Sequence, residues 1–340
     1  MTSPAERVNG HAGVRAVPGD PAPTVPPVRD DAAGAPPEDG PARPRRTAVR
    51  SDDGTAAREG EVPSPEGSSP GERFRALHRA GAPLLLPNAW DHASAAALAA
   101  AGFRAVGTTS LGVAAAAGLP DGRGLAREQT LRLARGLSRL DVLVSVDVEG
   151  GFDASPARVA ALAAELERLG IAGINLEDGL ADGGLADVAR QRSVISAVKE
   201  EAPSLFLNAR TDTWWLTGHT ERTAERTAER AAAYEEAGAD GVFVPGLRDE
   251  EEIAALAGAL RVPLNVLHSP AGPPLRVLAE LGVRRVSCGS LLFRAALRGA
   301  LAAVEAVASD LPLPEGVPGY DEAQALAERF AAPRGRPVSG

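Results

Sequence analysis

Acidic side chains follow two consecutive apolar runs of the sequence, at the point where each run ends. The run VLVSVDVEGG carries Asp147 and Glu149, and the next run, GINLEDG, carries Glu177 and Asp178. Residues two apart on an extended strand point to the same side, so Asp147 and Glu149 are predicted to face one site. Converging carboxylates repel one another unless a cation neutralises them. Oxygen ligands suit a hard divalent cation, so the pattern predicts a Mg2+ site, with Mn2+ as the alternative ion.

The segment LFLNARTDTW places Arg210 at the end of a later apolar run. A planar guanidinium binds a carboxylate or phosphoryl group through two parallel hydrogen bonds, which suits an anionic substrate. The competing hypothesis is that Arg210 forms an ion pair with Glu177 or Asp212 and neutralises part of the acidic cluster. The two roles are compatible, because a substrate-binding arginine often needs a carboxylate to orient it.

Small and polar residues follow the second run, in GTTSLGVAAAAGLPDG. Around Thr109 and Ser110 they leave backbone N–H groups accessible to an oxyanion or a carboxylate, and Asp121 lies further along on a Gly-rich segment. His92 and His268 follow the first and seventh runs and are candidates for a general acid or base. Each feature has a competing structural interpretation. Thr109 and Ser110 can form a polar strand end, the segment around Asp121 a surface turn, and the two histidines can be structural.

The composition excludes several classes of function. The chain has 340 residues, a net charge of -9 and no basic tract, which disfavours binding to nucleic acid or to an anionic membrane. Its one cysteine, Cys288, excludes a multi-cysteine metal centre, and we find neither a secretion signal nor an uninterrupted apolar run of ~18 residues. Its one lysine, Lys199, stands at the end of a predicted helix, which disfavours Schiff-base chemistry. We therefore predict a cytoplasmic protein.

The elements that must position these residues alternate along the chain. Ala- and Leu-rich segments of helical period separate eight short apolar runs, at 84–88, 105–110, 142–147, 173–178, 205–210, 241–246, 263–268 and 285–290. Alternating strands and helices predict a parallel sheet, and eight such units predict an α/β fold closed as a (β/α)8 TIM barrel. The active site of this fold lies at the carboxyl ends of the strands. A doubly wound open sheet is the alternative, but no run is followed by GxGxxG.

Residues 1–70 differ from the rest of the chain. They contain no Leu, Ile, Phe, Tyr or Trp, and 21 of the 70 are Pro or Gly. Such a segment cannot bury enough apolar surface to offset the entropy of ordering it. We therefore predict a disordered N-terminal tail over residues 1–70 and one barrel domain over residues 71–340.

From about residue 74 to 310 the sequence resembles the isocitrate lyase/phosphoenolpyruvate mutase superfamily. The segments that carry the resemblance are, in order, AGFRAVGTTSLGVAAAAGLPD, VSVDVEGGF, GINLEDG and LNARTD. The resemblance implies a (β/α)8 barrel whose last helix swaps between subunits of a homodimer or homotetramer. It also implies an enzyme that uses Mg2+ to bind a small-molecule carboxylate, an α-oxo acid, and that stabilises an enolate or reacts with phosphoenolpyruvate-like compounds.

Matched by position, the resemblance assigns three carboxylates to the metal shell: Asp147, Glu149 and Glu177. It also implies that Asp121 reaches this shell from the second loop, that Ser110 and Leu111 supply backbone donors to the pyruvyl oxygen or carboxylate, and that Arg210 binds the substrate carboxylate. Together with the residue patterns, this gives a predicted substrate-binding set: Thr109, Ser110, Leu111, Asn208 and Arg210. The predicted catalytic residues are Arg210, Asp121 and His268.

Two features depart from the family pattern. Glu149 stands where the family usually has a second aspartate, and its extra methylene changes the reach to the metal. The lyases carry a Lys-Lys/Arg-Cys-Gly-His loop, whereas the corresponding segment here, EDGLADGGLADVARQ, has neither Cys nor His. The Lys-containing loop of the phosphonate-cleaving branch is absent too. Three hypotheses therefore stay open: C–C lyase or decarboxylase chemistry, C–P chemistry on phosphonopyruvate or phosphoenolpyruvate, and a catalytically silent metabolite-binding barrel.

Overall fold

The computed structural model describes residues 67–79, 81–216 and 223–331. Most of the predicted tail, residues 1–66, lies outside the described residues. Helix α1 (Pro70–Leu77) begins at the predicted boundary, and its cap lies just before it. The Ser69 hydroxyl accepts a hydrogen bond from the Glu72 N–H, and the Glu72 carboxylate accepts one from the Ser69 N–H. This capping box satisfies N–H groups that the first helical turn leaves unpaired, so the first described helix includes Pro70, one residue before the predicted start of the barrel domain.

Nine parallel strands of the described chain follow one another around a nearly closed barrel. At the two ends of the sheet, β1 (Leu84–Leu86) pairs with the last strand and β2 (Asn88–Ala89) pairs with β3 (Ala105–Thr108). Only Pro87, which has no N–H to donate to a ladder, separates β1 from β2. The two are therefore pieces of one barrel strand, and the predicted (β/α)8 barrel is confirmed. The other strands are β4 (Leu143–Asp147), β5 (Gly173–Glu177), β6 (Phe206–Arg210), β7 (Gly241–Val244), β8 (Leu264–Leu267) and β9 (Arg285–Ser287).

Helices surround the sheet, and several begin at an acidic N-cap. Asp91 accepts a hydrogen bond from the Ser94 N–H, and Asp187 and Asp249 cap later helices in the same way. The helices after α1 are α2 (His92–Ala100), α3 (Ser110–Ala116), α4 (Arg127–Leu137), α5 (Pro156–Arg168), α6 (Val188–Glu201), α7 (Thr223–Glu236), α8 (Glu250–Ala259), α9 (Leu275–Glu280), α10 (Leu291–Ala308) and α11 (Tyr320–Glu328). Across the described ranges, none is both long and apolar enough to span a bilayer.

The two ends of the barrel have different chemistry. Apolar side chains of α1 and the strands fill the amino-terminal end, with Phe74 edge-on to Phe206 at 5.3 Å between ring centres. Near Phe206, Lys199 Nζ lies 2.8 Å from Asp240 Oδ2 and Arg75 Nε lies 2.8 Å from Asp240 Oδ1. Lys199 therefore has a structural contact at the end of α6, as its sequence position predicted. The opposite, carboxyl end of the barrel carries the predicted site residues Asp147, Glu177 and Arg210.

Candidate active site

Three of the predicted site residues are the last residues of neighbouring strands. Asp147, Glu177 and Arg210 end β4, β5 and β6, and Glu177 lies opposite Arg210 in the register of β5 and β6. Arg210 Nη1 lies 2.8 Å from Glu177 Oε2, and Arg210 Nε lies 2.7 Å from Asp212 Oδ1. The ion-pair role considered for Arg210 is therefore present, and two carboxylates fix the plane of its guanidinium.

Asp147 is buried at the end of β4, beside the junction of β3 and α3. Its N–H donates to Thr108 Oγ1 at 2.8 Å, which ties the end of β4 to the end of β3. One carboxylate oxygen, Oδ2, accepts a long hydrogen bond from the Ser110 N–H at 3.4 Å. The start of α3, where Thr109 occupies the N-cap position and Ser110 and Leu111 follow, thus lies beside Asp147.

Glu149 reaches the site by a different route from the predicted one. Strand β4 ends at Asp147, and Glu149 has a φ of 49°, so the alternation of an extended strand does not apply. Its Oε2 accepts a hydrogen bond from the Gly124 N–H at 2.8 Å, and its own N–H lies 3.3 Å from Asp147 Oδ1. A left-handed φ at a non-glycine residue costs about 1–3 kcal/mol and is typical of functional sites.

Burial and mutual repulsion disturb the ionisation of these carboxylates. Burial raises the pKa of Glu177 to about 8; Arg210 opposes this shift, and Asp147 and Asp212 add to it. Burial also raises the pKa of Asp147, of Glu149 and of Asp212. One guanidinium is therefore not enough to keep the whole cluster ionised at neutral pH. Additional positive charge would be stabilised at this rim.

Two aromatic rings lie beside the Arg210 guanidinium. Arg210 Cζ is 5.7 Å from the centre of the Phe243 ring and 6.0 Å from that of Trp215. Burial lowers the pKa of Arg210, but Glu177 and Asp212 outweigh it and raise the pKa, so the guanidinium stays charged. Trp215 is 52% exposed at the mouth of the site. An arginine held by carboxylates and rings in this way is preorganised for an anion.

The donor set fits a partly hydrated divalent cation. Within the described ranges, no three His, Cys, Asp or Glu side chains are already grouped as a metal cage. Mg2+, however, usually keeps several waters and binds through one or two carboxylates. Asp147, Glu149 and Glu177 provide hard oxygen donors whose raised pKa values show that added positive charge would be favourable there. Chemistry and electrostatics therefore fit Mg2+, although the side chains do not form a complete protein cage.

The remaining predicted residues lie at different distances from this cluster. Asp121 is on an exposed turn between glycines of positive φ, close enough to raise the pKa of Asp147 and of Glu149. Asn208 Nδ2 donates to Asn175 Oδ1 at 2.9 Å, below Arg210 in the barrel. The exposed His268 side chain makes no hydrogen bond or ion pair with the rim carboxylates in the described part of the chain. Its catalytic role stays a prediction.

Asp178 does not join the cluster, although it is adjacent to Glu177. Its Oδ2 lies 3.0 Å from Arg230 Nη1 and accepts a hydrogen bond of 2.7 Å from the Tyr234 hydroxyl. Its Oδ1 accepts the Asp212 N–H at 2.8 Å. Neither Arg230 nor Tyr234 was predicted as a partner of Asp178. The spacing of Arg230 and Tyr234, four residues apart on one face of α7, is the signal that could have indicated them.

Comparison with known proteins agrees with this geometry. A family model described as phosphoenolpyruvate phosphomutase matches residues 74–308. An uncharacterized protein of Mycobacterium tuberculosis is 45% identical over 252 residues, which cover 74% of this chain and 95% of that protein. An oxaloacetate decarboxylase of Pseudomonas aeruginosa is 34% identical over 220 residues, covering 60% and 74% of the two chains.

Among solved structures, a protein described as a putative phosphonomutase from Burkholderia cenocepacia is 41% identical, with a TM-score of 0.66. The match covers 69% of this chain and 98% of that one. The barrel, the acidic rim with its arginine, and the extent of these matches lead to one conclusion. The chain belongs to the phosphoenolpyruvate phosphomutase family, within the isocitrate lyase/phosphoenolpyruvate mutase superfamily of lyases and mutases.

Proposed function

We propose that this protein is a Mg2+-dependent enzyme that makes or breaks a C–C bond next to an α-oxo acid, through an enolate. The observation that carries the proposal is the pairing of Glu177 with Arg210 beside Asp147 and Glu149 at the carboxyl end of the barrel. Carboxylates suit a cation that chelates an oxo acid, and a preorganised guanidinium suits the acid's carboxylate. Similarity to an oxaloacetate decarboxylase supports this class of reaction.

The residues of the site divide the work between them. Asp147, Glu149 and Glu177 would hold Mg2+, which supplies a Lewis acid for the oxo group of the substrate. Within the described residues, Arg210 uses Nε and Nη1 on Asp212 and Glu177, so Nη2 remains to donate to the substrate carboxylate.

Backbone N–H groups hold the second oxygen of the substrate. Those of Ser110 and Leu111, at the start of α3, would donate to the oxygen that gains negative charge as the enolate forms. The Arg210 guanidinium is in place before the substrate binds, whereas the Ser110 N–H would exchange its long hydrogen bond to Asp147 Oδ2 for one to the substrate.

Among the reactions considered, decarboxylation of a β-oxo acid requires the fewest catalytic groups from this site. Carbon dioxide leaves with the breaking C–C bond, the electron pair stays on the enolate, and one proton then returns to carbon. The reaction requires no base to start it. This agrees with the segment from Gly179 to Asp187, GLADGGLAD, which contains neither Cys nor His. Asp121 and His268 are the candidates for delivering the final proton, directly or through water.

C–P chemistry on phosphonopyruvate or phosphoenolpyruvate is the second candidate. The observations that favour it are the family model and the 41% identity to a protein described as a phosphonomutase. The same Arg210 guanidinium would donate from Nη2 to a phosphoryl oxygen. A panel of oxo acids, 2-hydroxy acids and phosphonates, incubated with the protein and Mg2+, separates the candidates. Carbon dioxide, or pyruvate released without phosphate, supports the first candidate. Pyruvate released together with phosphate, or interconversion of phosphonopyruvate and phosphoenolpyruvate followed by phosphorus NMR, supports the second. No turnover of any substrate supports a silent binding barrel.

We also propose that the protein forms a homodimer or homotetramer through α10. Apolar side chains at helical spacing are exposed on this helix: Leu297, Leu301, Val304 and Val307. Their spacing places them on one face, which the described part of the chain does not cover. A second copy would bury this face. Light scattering should show a dimer or larger species that Leu301→Glu shifts to a smaller one, and a monomeric wild type would contradict the proposal.

A further inference from the structure

A buried arginine crosses the interior of the barrel below the rim. Arg285 is the first residue of β9 and is 1% exposed. Its Nη2 lies 3.2 Å from the Oδ1 of Asn175 on β5, nearly opposite in the strand order. The same oxygen accepts a hydrogen bond of 2.9 Å from Asn208 Nδ2 on β6. One acceptor atom therefore joins three strands.

The two asparagines stand directly beneath the ion pair of the site. Asn175 precedes Glu177 by two residues, and Asn208 precedes Arg210 by two residues. Side chains two apart on a strand share a face, and the pairs Asn175–Asn208 and Glu177–Arg210 are two positions apart in the β5–β6 register. The contacts of the lower pair therefore lie on the same strands, and on the same face, as the ion pair above it.

The charge of Arg285 has no carboxylate partner among the described residues. Its Nε and Nη1 have no hydrogen-bond partner there, and the ring of Phe74 lies 5.6 Å from its Cζ. Burial lowers the pKa of Arg285 to about 9, and Asp147 acts in the opposite direction, so the side chain stays protonated at neutral pH. An unpaired buried charge is costly and is retained where it has a role. The carboxylate that interacts electrostatically with Arg285 is Asp147, at the acidic rim above it.

We propose that Arg285 is a positioning residue for the site, which holds Glu177 and Arg210 in place through Asn175 and Asn208 and adds a fixed positive charge beneath the rim. This inference rests on the proposed Mg2+- and oxo-acid-binding function. The charge favours an anionic ligand and slightly opposes the cation. Its removal should therefore affect the two ligands differently, whereas loss of a purely structural residue would weaken both or neither.

The test compares Arg285→Met with Arg285→Lys, using Arg261→Met as the matched control. Arg261 is an exposed arginine that pairs with Glu235 far from the rim. Titration calorimetry measures the affinity for two probes, which are Mg2+ alone and oxalate in the presence of Mg2+. We expect Arg285→Met to bind Mg2+ at least as tightly as the wild type and oxalate at least about tenfold more weakly. Arg285→Lys should recover most of the oxalate affinity, because it keeps the charge.

Further variants keep the inference falsifiable if Arg285→Met does not fold. Arg285→Gln removes the charge and keeps a hydrogen-bond donor, and it should also weaken oxalate binding alone. A double-mutant cycle of Arg285→Gln with Asn175→Ser tests the contact without any ligand. The combined loss of unfolding free energy should be smaller than the sum of the single losses.

The outcomes separate the two claims. Wild-type protein that binds neither probe would overturn the proposed function. If the single losses in the double-mutant cycle also added up to the combined loss, the positioning role would be overturned as well. Wild-type protein that binds both, together with Arg285 variants that match Arg261→Met in both affinities, would overturn the positioning role alone.

Discussion

Glu177 and Asp178 are neighbours at the end of β5, yet they belong to two different kinds of arginine–carboxylate cluster. We call Glu177, Arg210 and Asp212, with Asp147 and Glu149, the rim cluster. Burial and neighbouring carboxylates raise the pKa of Glu177 and of Asp212, whereas Arg210 lowers both. Arg210 Nη2 has no partner among the described residues and remains available for a ligand. This is the arrangement expected where a ligand completes the set of charges.

Asp178, Arg230 and Tyr234 form the second, or support, cluster. Asp178 accepts hydrogen bonds from the Asp212 N–H, the Arg230 guanidinium and the Tyr234 hydroxyl, and its side chain is fully buried. Burial and Asp178 raise the pKa of Tyr234, so its hydroxyl stays protonated and donates. An arginine–carboxylate pair therefore indicates a binding site when its charges are incompletely matched, and a structural support when fixed hydrogen bonds hold both oxygens of the carboxylate, as they do for Asp178.

The largest effect is expected in the rim cluster on activity. Glu177→Ala should lower turnover by three powers of ten or more, roughly 4 kcal/mol, because it removes a metal donor and an Arg210 partner. Stability should change by less than about 1 kcal/mol, since Arg210 keeps Asp212. Steady-state kinetics, Mg2+ titration and urea unfolding measure these quantities. Wild-type affinity for Mg2+ in this variant would show that the rim cluster is only an ion-pair network.

The adjacent substitution should act mainly on stability. Asp178→Ala leaves the buried Arg230 charge and the Tyr234 hydroxyl without their acceptor, and breaking a buried pair in this way costs about 3–5 kcal/mol. Urea unfolding of this variant beside Glu177→Ala measures the contrast. If Asp178→Ala were as stable as the wild type, the support cluster would have no structural role.

Arg210→Lys and Arg230→Lys sharpen the comparison, because both keep the charge and lose the fork. We expect Arg210→Lys to lower kcat/KM by one to three powers of ten, about 1.4–4 kcal/mol of transition-state stabilisation. Arg230→Lys should retain most activity and lose stability instead. Near-wild-type kinetics with a lowered Tm for Arg210→Lys would assign Arg210 to the support class as well.

The raised pKa of Glu177 predicts a smaller, pH-dependent effect. The folded protein holds a proton on Glu177 that the unfolded chain releases above its ordinary pKa of 4.5. The stability contributed by this group is therefore fully present below pH 4.5 and is lost as the pH rises through about 8. Mg2+ requires the carboxylate, so it should bind more tightly as the pH approaches 8, with proton release. Calorimetry in buffers of different ionisation enthalpy measures the protons, and Glu177→Gln should release fewer.

The sequence predicted the barrel and most of the rim, because both follow from periodicity. All eight apolar runs contain strands, and the carboxyl ends of parallel strands must share one edge. Periodicity could not predict the left-handed φ that brings Glu149 to the site. Nor could it separate Glu177 from Asp178, since their partners Arg210 and Arg230 come from distant parts of the chain. Arg285 was missed because its contact with Asn175 crosses the barrel, and no local pattern records such a contact.

The proposed metal-dependent oxo-acid site at the rim is best tested by titrating the wild-type protein with oxalate, with and without Mg2+. Oxalate has the two adjacent oxygens of an oxo acid and resembles the enolate that the rim cluster is proposed to stabilise. The account predicts that oxalate binds tightly only when Mg2+ is present and that Arg210→Lys weakens this binding, whereas Arg230→Lys does not. Equal oxalate affinity with and without Mg2+ would contradict a metal-dependent oxo-acid site at this rim.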